Sequence, residues 1–384
     1  MQMANCTYSS LTSFENKIWY ITIVDNLLME VDINDGKLVC LGKIPEGNKG
    51  SYAYRTLVYR KKCLYLIPYN AEDIWKFEIE SRTFKRMNML SPYSKIIGKE
   101  KKLFGILEYE NETILYGLND RIFRVNWDSE QVIPYRVIEN EKSSNITTWF
   151  WQGGFIEDGI LFLPVNKKLS LVAIELNSHS VEYIDFGMDI KDKIYQIVFH
   201  EKNRVYFLIL DSIWQIHVIT INKDNMQLVA HDIYSDELRD IEEDNKINPF
   251  QCGFVCNEVI VLLPGRQMMA CVIDIKKKRC EMVRMLPVVD KEKLRENEIY
   301  PYNYFNIVYV QSKDLIFSIN WGRQKMISIN PHTLEVKEKN ITYGDKASNV
   351  YNKVVNQIID NSNILYEKDF YINLKDYIKG LTKN

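Results

Sequence analysis

The sequence predicts an all-β fold, a β-propeller read as seven four-stranded blades with a short C-terminal helical tail. Two sets of landmarks and the composition predict it. The middle of each second strand falls at Trp19, Tyr65, Tyr116, Phe162, Tyr206, Val261 and Ile316, roughly one every 45 to 55 residues. A second landmark closes each third strand, at Ile33, Ile79, Trp127, Leu176, Ile221, Ile275 and Ile329, and keeps step with the first. Apolar residues make up 46% of the chain and aromatic residues 12%, with 24 tyrosines, a composition that favours strands over helices.

Blade one spans about Tyr8 to Leu41 as SSLTSF, KIWYITIV, LLMEVDI and KLVCLG. Its last hairpin turns at Asn34-Asp35-Gly36, where Asp-Gly tolerates positive φ. Blade two runs from Ala53 to about Met89, with Ser81-Arg82 in the place of that turn. A polar lead, 91–102, precedes blade three, which reads FGILEYENE, TILYGL and RIFRVNW. Blade four begins near Thr147 with TTWFWQGGFIEDG, and blade five carries YQIVF, RVYFLIL, IWQIHVITI and MQLVAHDI. Charged insertions at 234–249 and 290–303 flank blade six, and FNIVYV opens blade seven. Both insertions join an outermost strand to the next innermost strand, so they open on one face of the ring.

The propeller is assigned to 1–344, leaving 345–384 as a tail or cap. Val350, Val354, Val355, Ile358 and Ile359 follow a helical spacing, and Leu374, Ile378 and Leu381 repeat it. The alternative is an eighth inner hairpin at NQIIDNSNILYE. Runs such as VAIEL, VIDI and MISI are apolar toward both sides, as in sheets sandwiched between neighbours. Radial stacking buries both faces of every blade and leaves short outer edges.

Basic and acidic side chains number 49 and 51, for a net charge of -2. That balance argues against nucleic-acid binding by phosphate neutralisation and against a polybasic membrane patch. The runs Arg60-Lys61-Lys62, Lys99–Lys102 and Lys276–Arg279 read as solvated turns. No stretch reaches membrane-spanning length, and the N-terminal residues do not read as a signal peptide. Seven cysteines, at 6, 40, 63, 252, 256, 271 and 280, include no CxxC pair and read as reduced thiols in a cytoplasmic protein. No phosphate-binding loop, GxSxG, HExxH or EF-hand motif occurs, and no cofactor or metal is expected. The five histidines, at 179, 200, 217, 231 and 332, show no spacing that gathers three of them.

One constellation stands out. Ten residues before each second-strand landmark lie Ser9, Arg55, Ile106, Gln152, Gln196, Gln251 and Asn306, and Asn356 repeats the offset in the tail. The position opens the innermost strand, so its copies are expected to ring an axial channel. They either line a wet channel or form a binding funnel of amides with Arg55 as its fixed positive charge. Aromatic rings adjoin them, among them Tyr54, Trp151 and Tyr304. Flat rings alternating with amides suit sugars, peptides or aromatic ligands. The expected ligand-binding set is Tyr54, Arg55, Trp151, Gln152, Gln196, Gln251, Tyr304 and Asn306.

The repeat resembles that of kelch-like and WD-like β-propellers over about residues 8–340. The resemblance is one of blade layout. The kelch double glycine appears once, as Gly153-Gly154, in a first strand, Trp75, Trp127 and Trp214 hold different repeat positions, and a single Trp127-Asp128 occurs. What the resemblance implies is a scaffold used for protein or ligand binding and sometimes for catalysis. The expected function is a non-catalytic binding or scaffolding propeller engaging a protein or a small or carbohydrate ligand through one face. The alternative is an enzyme acting on a carbohydrate or small metabolite, with Glu108, Glu157 and Asp158 as its carboxylates.

Overall fold

A computed structural model describes residues 2–5, 11–22, 26–45, 53–94, 101–117, 121–135, 153–164, 170–185, 193–202, 204–211, 216–222, 227–233, 250–264, 270–283, 304–320 and 325–343. Strand β1 (Gln2–Asn5) precedes blade one, which consists of β2 (Thr12–Phe14), β3 (Lys17–Ile21), β4 (Leu27–Asp32) and β5 (Lys37–Lys43). Blade two has β6 (Tyr54–Arg60), β7 (Cys63–Pro68), β8 (Trp75–Glu78) and β9 (Thr83–Arg86). Blade three has β10 (Leu103–Tyr109), β11 (Glu112–Gly117), β12 (Ile122–Asn126) and β13 (Gln131–Tyr135). Blade four has β14 (Phe155–Glu157), β15 (Ile160–Pro164), β16 (Ser170–Glu175) and β17 (Val181–Asp185). Blade five has β18 (Lys193–Glu201), β19 (Arg204–Asp211), β20 (Ile216–Asn222) and β21 (Gln227–Ile233). Blade six has β22 (Phe250–Cys256), β23 (Val259–Pro264), β24 (Ala270–Asp274) and β25 (Arg279–Val283). Blade seven has β26 (Tyr304–Val310), β27 (Leu315–Asn320), β28 (Lys325–Ile329) and β29 (Val336–Asn340), followed by β30 (Thr342–Tyr343).

Within each blade the four strands pair antiparallel in chain order. First strands of neighbouring blades lie side by side at six of the joints, among them β26 of blade seven against β2 of blade one. The chain is a seven-bladed β-propeller.

The core lies between the blades. Side chains of β19 alternate without a break: Val205, Phe207 and Ile209 pack toward blade four, while Tyr206 and Leu208 pack toward blade six. Each blade therefore contributes half of two apolar clusters, which is why its strands are apolar on both sides. The third-strand landmarks also have a physical basis. The N–H groups of Ile33, Ile79, Leu176 and Ile275 donate to Asn16, Lys62, Gly159 and Glu258, at 2.8, 3.2, 2.9 and 3.2 Å. Each bond ties the start of the third hairpin to the turn of the first. The three-residue offset from these landmarks carries positive φ at Gly36, Arg82, Glu130, His179 and Lys278. Only blade one spends a glycine there.

Two strands extend the blades beyond four. β30 runs parallel to β5, adding a fifth strand to the outer edge of blade one. β1 pairs antiparallel with the inner edge of β22, with Gln2 opposite Val255 and Asn5 opposite Cys252. It also lies against β18 and β26, which places it inside the ring. The sequence reading left the channel open; the pairing capacity of a bare innermost edge explains its occupant. The expected tail at 345–384 and the insertions at 234–249 and 290–303 lie outside the described residues.

Candidate functional site

The two faces of the ring differ in chemistry. One face bears the hairpins that join first to second and third to fourth strands, and is called the turn face. The other bears the second-to-third loops and the crossovers between blades, and is called the loop face. The innermost strands start on the loop face.

Five of those strands start with a β-bulge. Their register against the second strand slips between Tyr54 and Thr56, Leu103 and Gly105, Lys193 and Tyr195, Phe250 and Cys252, and Tyr304 and Ile307. A bulged residue leaves the ladder and is re-aimed. Arg55 and Gln251 each occupy a bulge alone, and Asn306 shares one with Phe305. In blades three and five the bulge comes two residues before Ile106 and Gln196, at Phe104 and Ile194. The repeated polar offset thus coincides in three blades with an irregularity of the backbone.

Of the eight expected residues, Tyr54 and Arg55 have side chains among those described, and the two differ in role. Tyr54 is 1% exposed and packs in the apolar cluster between blades one and two, so its ring anchors the strand start. Arg55 is 7% exposed, and its guanidinium carbon lies 3.5 Å from the centre of the Tyr69 ring. The backbones of Gln196, Gln251, Tyr304 and Asn306 belong to β18, β22 and β26, the three innermost strands beside β1. Arg55, on β6, sits between β2 and β10. Trp151 and Gln152 lie outside the described residues, but Gly153 follows directly. A side chain there would meet the Val198 carbonyl oxygen at 2.2 Å, and its φ is +110°. The backbone of Gly153 and Gly154 also hydrogen-bonds the buried phenol of Tyr116, so the double glycine lets blade four approach both neighbours.

Around Arg55 the loop face is firmly built. The N–H groups of Tyr69 and Asn70 both donate to the Ala53 carbonyl, at 2.8 and 3.1 Å. Lys102 donates its backbone N–H to the Tyr69 carbonyl at 2.7 Å, and its ammonium lies 4.8 Å from the Tyr69 ring centre. Asn70 Oδ1 accepts from the same ammonium. Tyr69 thus meets two cations, each such contact worth roughly 0.5–2 kcal/mol.

Behind this layer Asp73 is fully buried and accepts from the N–H groups of Ile74, Leu90 and Ser91, at 2.8, 3.0 and 3.1 Å, and from the Ser91 hydroxyl. Lys101 is fully buried as well, donating to Ser94 Oγ at 2.7 Å, and burial pushes its ammonium pKa down. The sequence reading treated Lys99–Lys102 as a solvated turn; Lys101 corrects it. Tyr69, Asp73, Lys101 and Lys102 were missed because they come from the loop after β7 and the lead into β10, two stretches with no repeat. A lysine pair directly before an apolar strand was the available signal.

Polar and aromatic contacts bridge the joints on the turn face. Tyr59 stacks on Phe14 and Trp19, with ring centres at 4.4 and 5.5 Å. Arg60 pairs with Glu108, and Lys61 with Asp128 at 2.6 Å. Tyr135 donates its hydroxyl to the Leu176 carbonyl at 3.0 Å. His200 stacks on Phe155 at 4.4 Å and lies 3.9 Å from Glu157. Glu201 accepts from the N–H groups of Asn257 and Glu258 at 2.8 and 3.0 Å, and Lys313 reaches Asn34 at 3.1 Å. Glu108 and Glu157 therefore serve joints, and Asp158 is a turn residue with φ of +49°. Among the described residues no group of three His, Cys, Asp or Glu side chains could hold a metal, and no helix is long and apolar enough to cross a membrane.

The comparisons agree with the fold. No protein-family profile and no curated protein matches the chain. Among solved structures it is similar to the dihydro-heme d1 dehydrogenase NirN in complex with DHE, at a TM-score of 0.51 and 11% identity, over 89% of this chain and 69% of that one. It is also similar to the extracellular domain of the hybrid two component system BT3049 from B. thetaiotaomicron, at a TM-score of 0.51 and 12% identity, over 85% of this chain and 40% of that one. At these identities the likeness is one of fold alone.

Proposed function

We propose that this propeller is a non-catalytic binding or scaffolding protein that engages a protein partner or a small or carbohydrate ligand through its loop face. The observation that carries the reading is the Arg55–Tyr69–Lys102 cluster, two cations against one half-buried ring. Such a surface suits an anionic or hydroxyl-rich group, with the ring supplying area at small entropic cost. Arg55 orients that group, Trp151 adds a flat contact, and Gln152, Gln196, Gln251, Tyr304 and Asn306 supply the polar rim around the ring. Tyr54 holds the backbone that presents Arg55. The blade layout shared with kelch-like and WD-like scaffolds supports a binding role. A cytoplasmic setting is part of the same reading, supported by seven cysteines scattered over the blades with no CxxC pair.

The test is affinity capture from cell extract with the full chain, alongside a broad glycan and metabolite screen. Arg55→Ala and Trp151→Ala are expected to cost binding by at least about 2 kcal/mol if they are hot spots, with the fold intact. Charge reversal across Lys276–Arg279, on the turn face of blade six, is expected to leave binding unchanged. If the Arg55 and Trp151 variants keep every interaction found and the Lys276–Arg279 variant loses them, the reading is wrong.

A further inference from the structure

We propose that Cys256 is a nucleophilic thiol served by His332 and Asp314, and that it forms a covalent adduct with electrophiles of the α,β-unsaturated carbonyl class. The three residues meet on the turn face, at the joint of blades six and seven, away from the Arg55 stack. Cys256 ends β22, His332 sits in the hairpin between β28 and β29, and Asp314 sits in the turn before β27. Cys256 Sγ lies 3.6 Å from His332 Nδ1. His332 Nε2 lies 3.2 Å from Asp314 Oδ2, and the Tyr309 hydroxyl donates to Asp314 Oδ1 at 2.7 Å.

The chain of contacts sets the imidazole tautomer. The Tyr309 hydrogen bond, joined by His332, holds the Asp314 carboxyl below its ordinary range. An ionised carboxylate only accepts, so the ring proton belongs on Nε2 and the lone pair of Nδ1 faces the thiol. Positioned hydrogen-bond relays of this kind are what activate cysteine for attack. Burial, with Glu201 nearby, pushes the Cys256 thiol up, so its resting form is S–H and Nδ1 takes the proton during the reaction. Cys256 is 8% exposed while the His332 side chain is 50% exposed, so the approach to sulfur runs past the imidazole.

The step balances without an oxidant or a leaving group. A bond forms between Sγ and the β-carbon of the acceptor, and the π pair of its double bond moves to the α-carbon and carbonyl. The proton passed from Sγ to Nδ1 is then delivered to the α-carbon, which returns His332 to its neutral form. Acyl transfer is not inferred, because the amides after Cys256 that could hold an oxyanion are taken by Glu201.

The test is limited reaction of the full chain with N-ethylmaleimide, with the adduct at each cysteine measured by peptide mass spectrometry. Cys256 is expected to react about tenfold or more faster than half-buried Cys63, and His332→Ala and Asp314→Asn are each expected to remove that advantage while leaving Cys63 unchanged. His332→Ala also opens space beside the sulfur, so a purely shielding histidine would make Cys256 faster in that variant. That result overturns the proposal, as does a wild-type Cys256 no faster than Cys63. If His332→Ala fails to fold, His332→Gln, which fills similar space without a ring base, is read in the same way.

Discussion

The carbonyl oxygen of Asn340 closes over Gly36 so tightly that a β-carbon on Gly36 would lie 2.4 Å from it. Gly36 also has a φ of +75°, and its own carbonyl accepts from the Thr342 N–H at 3.0 Å. This is where the last blade meets the first. Gly36→Ala is expected to lower stability by about 1–3 kcal/mol through combined backbone strain and displacement of Asn340. The check is a urea melt alongside Arg82→Gly, which relieves positive φ in blade two and has no such neighbour to displace.

Buried phenols give the protein an alkaline limit. Tyr65, Tyr116 and Tyr206 are each pushed up to about 12 from an ordinary value of 10.0, with burial the first cause. Above pH 10 the unfolded chain releases these protons first, so the folded state binds more of them and stability falls as pH rises. Their contribution is complete below pH 10 and is lost between about pH 10 and 12. The urea midpoint is expected to drop across that window, with the last part of the tyrosinate absorbance, that of the buried phenols, rising together with unfolding. Full ionisation of the tyrosines in a still-folded protein would contradict this.

Asp73 organises the ground on which Arg55 and Lys102 stand. Asp73→Ala leaves the buried Leu90 N–H without its partner and removes an acceptor from the Ser91 N–H, each such loss costing about 1–3 kcal/mol. Asp73→Asn, which keeps one acceptor oxygen, is expected to lose less. Chemical denaturation orders the two variants; equal losses would mean that the shape of the side chain, and not its hydrogen bonding, matters.

Strand β1 pairs with the inner edge of β22 over 252–255. Removing residues 1–5 is expected to raise hydrogen exchange at 252–255 while leaving β23 and β24 protected. Unchanged exchange at 252–255 would show that β1 does not hold that edge in solution.

The blade repeat was legible because it is written in covalent spacing. The seven second-strand landmarks fall within β3, β7, β11, β15, β19, β23 and β27. Register, strand order and the two-sided core follow from that period. The offset leading to Arg55 was visible for the same reason. What it meant was not visible: a bulge is an unpaired residue, and sequence does not show which residue leaves a ladder. Tyr69 and Lys102 reach Arg55 from segments that differ in length from blade to blade, and Lys101 is buried by tertiary packing that its charge argues against. The Cys256–His332–Asp314 relay joins two blades, so no spacing within one repeat could reveal it.

The placement of β1 also imposes an order of assembly. Gln2 pairs with Val255, so the first strand cannot reach its partner until most of the ring has been synthesised. A strand inside a closed ring has no side entrance, so docking on β22 is expected before the seam between blades seven and one is sealed. Long-range pairing of this kind is slow, because chain closure costs entropy before the contact rewards it. An open arc of blades, with the inner edge of β22 bare, is therefore the expected intermediate. Its signature in pulse-labelling exchange is protection of 252–255 no later than the Thr342 amide on Gly36, and the reverse order would show that the strand threads a finished ring.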